Sequence, residues 1–265
     1  MATRLPKSPV AAAPAPPAAA TPTPLAATAP TPPAAGTLLP PITPPILLKA
    51  GCFHQLTKGA ATIINEANSL DILIKANPLG MAEKPLLEWF GESAARIALF
   101  ALGLPNQSYV PTHVAREITY KNFRADFACL YVDTLMRMPP RLLLIEAQGA
   151  LHNSVFETKG RTTPQWSKDF LSGFSQVVDW HCFQGDVAKW PPLTKLVAKQ
   201  QPTQVDFAVI AGLEEDVADD LSQGRLAHWI AHVGFGNNLH ISTFDALSIR
   251  TTALFNRMAF IAGLP

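Results

Sequence analysis

The sequence predicts an α/β (α+β) domain whose mixed central sheet is covered by helices on both sides. Three observations carry that expectation. Apolar residues recur at helical and at strand spacing in the order helices, antiparallel strands, helix, strand, helix, strand, helix. Phe127 to Val132 and Leu142 to Ile145 are rich in strand formers and are separated by Asp133 to Pro140, which ends in a proline pair, so they read as a hairpin. Val205 to Ala211 is a nearly continuous apolar run, the pattern of a short strand buried on both faces.

The chain has 265 residues, and 14 of its 25 prolines fall before Lys49 among long alanine runs. No acidic residue precedes Glu66, and no spaced apolar face is available to offset the entropy of ordering such a segment. Residues 1–48 are therefore expected to form a disordered Pro/Ala-rich tail, and residues 49–265 a single domain with an ordinary core.

From Gly51 to Ala76, Leu56, Ala60, Ile63, Ile64, Leu70, Leu73 and Ile74 predict two short helices or one kinked helix. Pro85 suits the first turn of a helix that runs through Trp89, Ile97 and Leu102 and closes at Gly103, with Glu92 inside it. Tyr109 to Glu117 reads as extended and leads into the hairpin. A loop over Gly149 to Pro164 precedes a helix capped by Thr163, with Pro164 at its first position and Gln176 along its length. After the strand at Val205, Leu213 to Gly234 reads as largely helical, Leu239 to Thr243 as a strand, and Asp245 or Ser248 as the start of a last helix through Phe260. Trp166, Trp180 and Trp229 fall at helical core spacing and are expected to pack inside.

Formal net charge is +1, so the overall field does not mark a nucleic-acid binder. A local cluster is present: Arg116, Lys121, Arg124, Arg137, Arg141, Lys159, Arg161 and Lys168, diluted by Glu117, Asp133, Glu157 and Asp169. Cys52, Cys129 and Cys182 are odd in number and far apart, which argues against structural zinc and against a disulfide framework. His228 and His232 stand at i, i+4 but lack an acidic helper, and are not assigned to a metal. No apolar stretch approaches the ~20 residues needed to span a bilayer, so no membrane role and a cytoplasmic location are expected. A homo-oligomer is compatible with the sequence but not legible in it.

The chemistry points to the hairpin. Asp126 lies near the start of its first strand and Glu146 near the end of its second, so antiparallel pairing makes them neighbours about 5 Å apart. Two hard carboxylates so placed can hold a divalent ion, which lowers the pKa of a bound water and polarises a phosphoryl oxygen. Gln148, two residues beyond Glu146, shares its face and can orient a water. The alternative is that Asp126 pairs with Arg124 or Arg141 and serves structure alone.

The ordered set RADF (124–127), LLLIEAQ (142–148) and the helix bearing Gln176 resembles the active-site core of the PD-(D/E)XK nuclease superfamily. More narrowly, IKANP (74–78), FSQVVDW (174–180), VDFAVIAG (205–212) and ISTFDAL (241–247) in that order are similar to the Shedu-type antiphage nuclease domain. The resemblance implies a restriction-endonuclease-like fold and a nuclease using Mg2+ or Mn2+, acting on DNA rather than RNA. It implies Asp126 and Glu146 as metal ligands, Gln148 as the residue that positions the attacking water, and Gln176 as support from the following helix. Glu92 corresponds to the acidic helical ligand of some members. The chain departs from the pattern at Gln148, where the family usually has a catalytic lysine; some members do work with Glu-x-Gln, and Lys159 or Arg161 could supply the missing charge. A catalytically silent binding or regulatory module on the same fold is the alternative function.

Overall fold

The computed structural model describes residues 46–105, 109–120, 122–133, 138–157, 160, 163–187, 189–197, 204–232 and 238–261. Almost all of the expected tail lies outside them, as do Lys121, Arg137, Lys159 and Arg161 of the basic cluster. The compact unit spans Pro44–Pro265, and Leu48 is already tied into it, since its N–H donates to the Gly91 carbonyl at 2.8 Å.

In chain order the elements are β1 (Phe53–Gln55), α1 (Ala60–Ala76), β2 (Gly80–Met81), α2 (Glu83–Gly91), α3 (Ala94–Leu102), β3 (His113–Tyr120), β4 (Phe123–Tyr131), β5 (Arg141–Ala147), β6 (Ala150–Leu151), β7 (Phe156–Glu157) and β8 (Gln165–Trp166). There follow α4 (Lys168–Cys182), α5 (Gln184–Val187), α6 (Pro191–Leu196), β9 (Gln204–Ile210), a 3-10 turn at Glu214–Val217, α7 (Asp220–His232), β10 (Leu239–Ser242) and α8 (Phe244–Ile261). The central sheet runs β1-β3-β4-β5-β9-β10. Its first three pairings are antiparallel, and β5 with β9 and β9 with β10 are parallel. The expected mixed sheet between helices is therefore present.

Alternation along the strands sorts the core into two layers. Phe127, Cys129, Leu143, Ile145, Ala208 and Ile210 pack against α1, α2, α3 and α8. Ala128, Leu130, Leu142, Leu144, Phe207 and Val209 face Phe170, Val177 and Trp180 of α4 and the short helices after it. The β9 strand is buried on both faces after its first residue, as its unbroken apolar run requires.

Four expectations need correction. One unbroken helix, α1, covers most of the segment expected to kink, and Phe53–Gln55 before it is a strand. The helix expected from Pro85 to Leu102 is two: Ser93 takes extended dihedrals and its hydroxyl accepts from the Ala95 N–H, restarting the chain as α3. Helix α4 starts at Lys168 rather than Pro164, because Trp166 pairs with Phe156 in a small ladder and Ser167 is the cap, accepting from the Phe170 N–H at 2.9 Å. Finally, Trp180 is buried as expected, whereas Trp166 and Trp229 are only partly so.

Arg141 does not pair with Asp126. Its Nη2 reaches Oδ2 of Asp206 at 3.5 Å, and the other oxygen of Asp206 accepts from Nε2 of Gln204 at 2.8 Å. The Asp206 side chain is fully buried in the strand next to β5. Removing one partner of such a pair strands the other, so Asp206→Ala should cost on the order of 3–5 kcal/mol in a urea unfolding curve. A loss below 1 kcal/mol would show that the pair is dispensable.

Candidate functional site

The pairing of β4 with β5 matches Phe127 to Ile145, and one step further along the same ladder sets Asp126 opposite Glu146. The ladder is disturbed at this point. Arg116 pairs with Phe127 and Ile118 with Ala125, but Glu117, which faces Asp126 between them, has φ of 50° and makes no such pairing. Ala125 and Ala128 consequently share the core layer beneath α4 although they are three residues apart. The break in alternation sits at the acidic residue, the kind of local distortion that re-aims a side chain at a sheet's functional end.

All four residues expected at the centre are brought together. The Asp126 Oδ2 accepts from the Ala147 N–H at 3.0 Å. Glu146 Oε1 accepts from Nε2 of Gln148 at 3.1 Å and from Nε2 of Gln176 on α4 at 2.6 Å. Asp126, Glu146 and Gln148 are 6%, 4% and 7% exposed. Gly173 makes this convergence possible: a Cβ at that position would lie 2.9 Å from Gln148 Nε2 and 3.2 Å from Glu146 Cγ. Only a residue without a side chain lets α4 settle against the end of β5.

Glu146 Oε2 is the informative atom. It is buried and has no hydrogen-bond partner among the described residues, a costly state for a carboxylate oxygen unless a proton or a cation satisfies it. The electrostatics agree. Burial pushes the Glu146 carboxyl well above the ordinary range, and the charges of Asp126 and Glu83 push it further, against Arg124 and the Gln176 hydrogen bond. Burial also raises Asp126, with the Ala147 N–H and Arg124 opposing and Glu83 adding to the rise. Both shifts favour the protonated form, that of Glu146 the more strongly, and a divalent ion would take the place of the proton.

Glu92 is not part of this group. It closes α2 and pairs through Oε2 with Nη1 of Arg96 at 2.6 Å, while Nε of Arg96 holds Glu66 at 2.8 Å. The acidic residue that acts on the pair is Glu83, the first residue of α2. Its own carboxyl is raised by burial and by Asp169. Its backbone lies where a Cβ on Gly149, just past Gln148, would come within 3.5 Å of it. An acid in the first turn of a helix is so common for dipole reasons that its sequence position carries no functional signal. Among the described residues, Arg124 is the cation that acts on Asp126, Glu146 and Glu83 together; in the sequence it was legible as a member of a mixed cluster and as a possible partner of Asp126. Among the described residues, no group of three or more His, Cys, Asp and Glu side chains has the arrangement of a metal cage. Asp126 and Glu146 alone suit Mg2+ or Mn2+, which are commonly held by one or two carboxylates with water completing the shell.

The raised carboxyls have a consequence for stability. Unfolded carboxylates ionise near pH 4. Above that pH the folded metal-free protein keeps protons the unfolded chain has released, so these groups contribute stability that declines as pH rises through their folded values. Thermal unfolding in EDTA should show a falling midpoint from pH 5 to pH 9, and the Asp126→Asn, Glu146→Gln double variant should flatten that slope. An unchanged slope in the double variant would contradict the burial argument.

No protein-family model matches the chain, and no curated protein matches it.

Proposed function

We propose that the protein is a metal-dependent nuclease that hydrolyses phosphodiester bonds, with DNA as its substrate. The observation that carries the reading is the buried, unpartnered Oε2 of Glu146 beside Asp126 at the end of a hairpin. Mg2+ or Mn2+ held by these two carboxylates would supply Lewis acidity and a water of lowered pKa. The chain's own groups have separate tasks. Gln176 fixes the rotamer of Glu146 from α4, and Gln148 shares the same oxygen, so its amide carbonyl is left to accept a hydrogen bond from the attacking water. Among the described residues, Arg124, exposed at the head of β4, would meet a substrate phosphate and take the part of the family's lysine. Glu83 adds negative charge that favours a divalent ion over a proton once pH rises.

The restriction-endonuclease-like fold, membership of the Shedu type and a role in antiphage defence belong to this same reading and rest on the ordered motifs. Incubation of the purified chain with plasmid DNA and with RNA, in Mg2+ or Mn2+, tests it. DNA cleavage that disappears in Asp126→Ala and Glu146→Ala is the expected result, and cleavage by both variants at the wild-type rate would sink it.

One observation favours the second reading, a catalytically silent binding module: the Gln148 amide, where the family usually has a lysine, donates to Glu146. Binding of DNA without any cleavage in either metal would select that reading.

A further inference from the structure

The segment that follows Gln148 is tied to two distant parts of the chain, and His152 makes both ties. Its Nε2 stands 2.9 Å from the Pro78 carbonyl oxygen, in the connection between α1 and β2. Its Nδ1 stands 2.8 Å from Oε1 of Glu215 and 3.9 Å from Oδ1 of Asp216, both in the 3-10 turn before α7. A carbonyl and a carboxylate can only accept, so both ring nitrogens must donate, and an imidazole does that only as the imidazolium.

The surroundings favour the same state. The hydrogen bond to Pro78 and then the charge of Glu215 hold the ring above the ordinary histidine range, with Asp216 adding to them and desolvation opposing. Among the described residues, Glu215 and Asp216 are the charged groups that act on it. Loss of one proton leaves a nitrogen lone pair aimed at an oxygen, so one of the two ties must break.

Those ties reinforce a weak joint. Strands β2 and β6 meet through two residue pairs, Gly80 with Leu151 and Met81 with Ala150, and an isolated two-stranded ladder is marginal in water. On one side of the joint β6 continues from Gln148 through Gly149, whose carbonyl accepts from the Gly212 N–H at 3.0 Å. On the other side β2 leads within two residues to Glu83, whose backbone nitrogen lies 3.5 Å from the place a Cβ on Gly149 would take. The charge of Glu83 in turn acts on Asp126 and Glu146. Asp216 fastens the far end of the loop by itself, accepting from the Asn153 N–H at 3.0 Å and the Leu213 N–H at 3.3 Å. The tie to Pro78 is what the His152 ring adds.

We propose that His152 is a pH-sensitive latch: protonated at both nitrogens, it clamps the Pro78 connection, and with it β2 and the start of α2 at Glu83, to the 3-10 turn at Glu215. Losing a proton, it lets them go. The latch stands on its own geometry, while its effect on metal binding rests on the nuclease reading, because it acts there through Glu83. A histidine raised on folding contributes stability that is complete below its unfolded value of about 6.5 and is lost as pH rises through the folded value. The latch is therefore closed in mildly acid solution and open in alkaline solution.

The test is hydrogen exchange of the full chain in EDTA at pH 6 and pH 9, read over residues 77–83 and 149–152 in the wild type and in His152→Gln. Both proteins carry the same carboxylates, so the ionisation of Asp126 and Glu146 cancels in the comparison. At pH 6 the wild type should be about fivefold more protected in both segments, the upper range for a surface ion pair, and at pH 9 the two should be equal. The His152 side chain is 40% exposed, so the variant should fold, and equal unfolding midpoints at pH 9 would check this. Glu215→Gln should move the loss of protection to lower pH. Equal protection of wild type and His152→Gln at pH 6, or a difference that persists at pH 9, overturns the proposal. Titration with Mn2+ separates it from the nuclease reading: the wild type should bind more tightly than His152→Gln at pH 6 and equally at pH 9. The expected exchange pattern in a chain that binds no Mn2+ would uphold the latch and remove the nuclease reading. Asp126-dependent cleavage by a chain whose exchange ignores His152→Gln would do the reverse.

Discussion

Glu146→Gln is expected to abolish Mn2+ binding and cut cleavage by at least about 100-fold, yet to leave the metal-free protein more stable at alkaline pH. The two effects share one cause. In the wild type, Glu146 is buried beside Asp126 and within the field of Glu83, so ionising it is unfavourable. The glutamine keeps the oxygen that accepts from Gln148 and Gln176, and it places an N–H at or near the position where Oε2 has no partner. Removing an unpaired buried charge should contribute on the order of 1–3 kcal/mol at pH 9. The loss of a ligand removes the charge stabilisation that metal-assisted hydrolysis requires, worth several kcal/mol. A purely structural carboxylate would show the opposite stability change and no metal phenotype. The comparison requires thermal melts in EDTA and a plasmid assay in Mn2+ on the same two proteins.

The second large effect is expected at Gly173. Gly173→Val puts methyl groups where Gln148 Nε2 and Glu146 Cγ lie within 2.9 and 3.2 Å of even a bare Cβ, so α4 must lift or both side chains must turn away. A cost of about 1–3 kcal/mol follows from overpacking, and the Gln176 to Glu146 hydrogen bond should be broken with it. Gly103→Ala is the control. Its Cβ would lie 2.5 Å from the Leu247 Cα, a clash with backbone between α3 and α8 and away from the carboxylates. Both variants should lose stability in urea, but only Gly173→Val should also lose Mn2+ affinity. Equal metal affinity in the two would mean that the fit of α4 against β5 does not hold the site.

The parts of this site that were legible in the sequence are local ones. A strand period of two puts Gln148 on the face of Glu146, and hairpin pairing puts Asp126 across from it; both follow from backbone geometry within a 23-residue stretch. Gln176 could be placed on a helix from the spacing of its apolar neighbours. The illegible parts depend on distance in sequence or on competition between equal local choices. Arg141 was a sequence candidate for pairing with Asp126, and its partner is instead Asp206, 65 residues away on an adjacent parallel strand. Glu83 and Glu92 are both acids in a helical stretch, and the choice between them is made by Ser93, whose capping breaks the helix and leaves Glu92 beside Arg96. Trp166 has core spacing if α4 starts at Pro164; two-residue pairing with Phe156 instead leaves it at the rim of a cavity.

The measurement that tests the central claim most directly is a calorimetric titration of the metal-free chain with Mn2+ at neutral pH, repeated in two buffers of different ionisation enthalpy. Saturable binding is predicted, with heats that differ between the buffers because a proton leaves the raised Glu146 carboxyl as the ion binds. The signal should vanish in Asp126→Asn and in Glu146→Gln. Absence of saturable Mn2+ binding to the wild-type chain, or binding of equal strength in Glu146→Gln, would contradict the account.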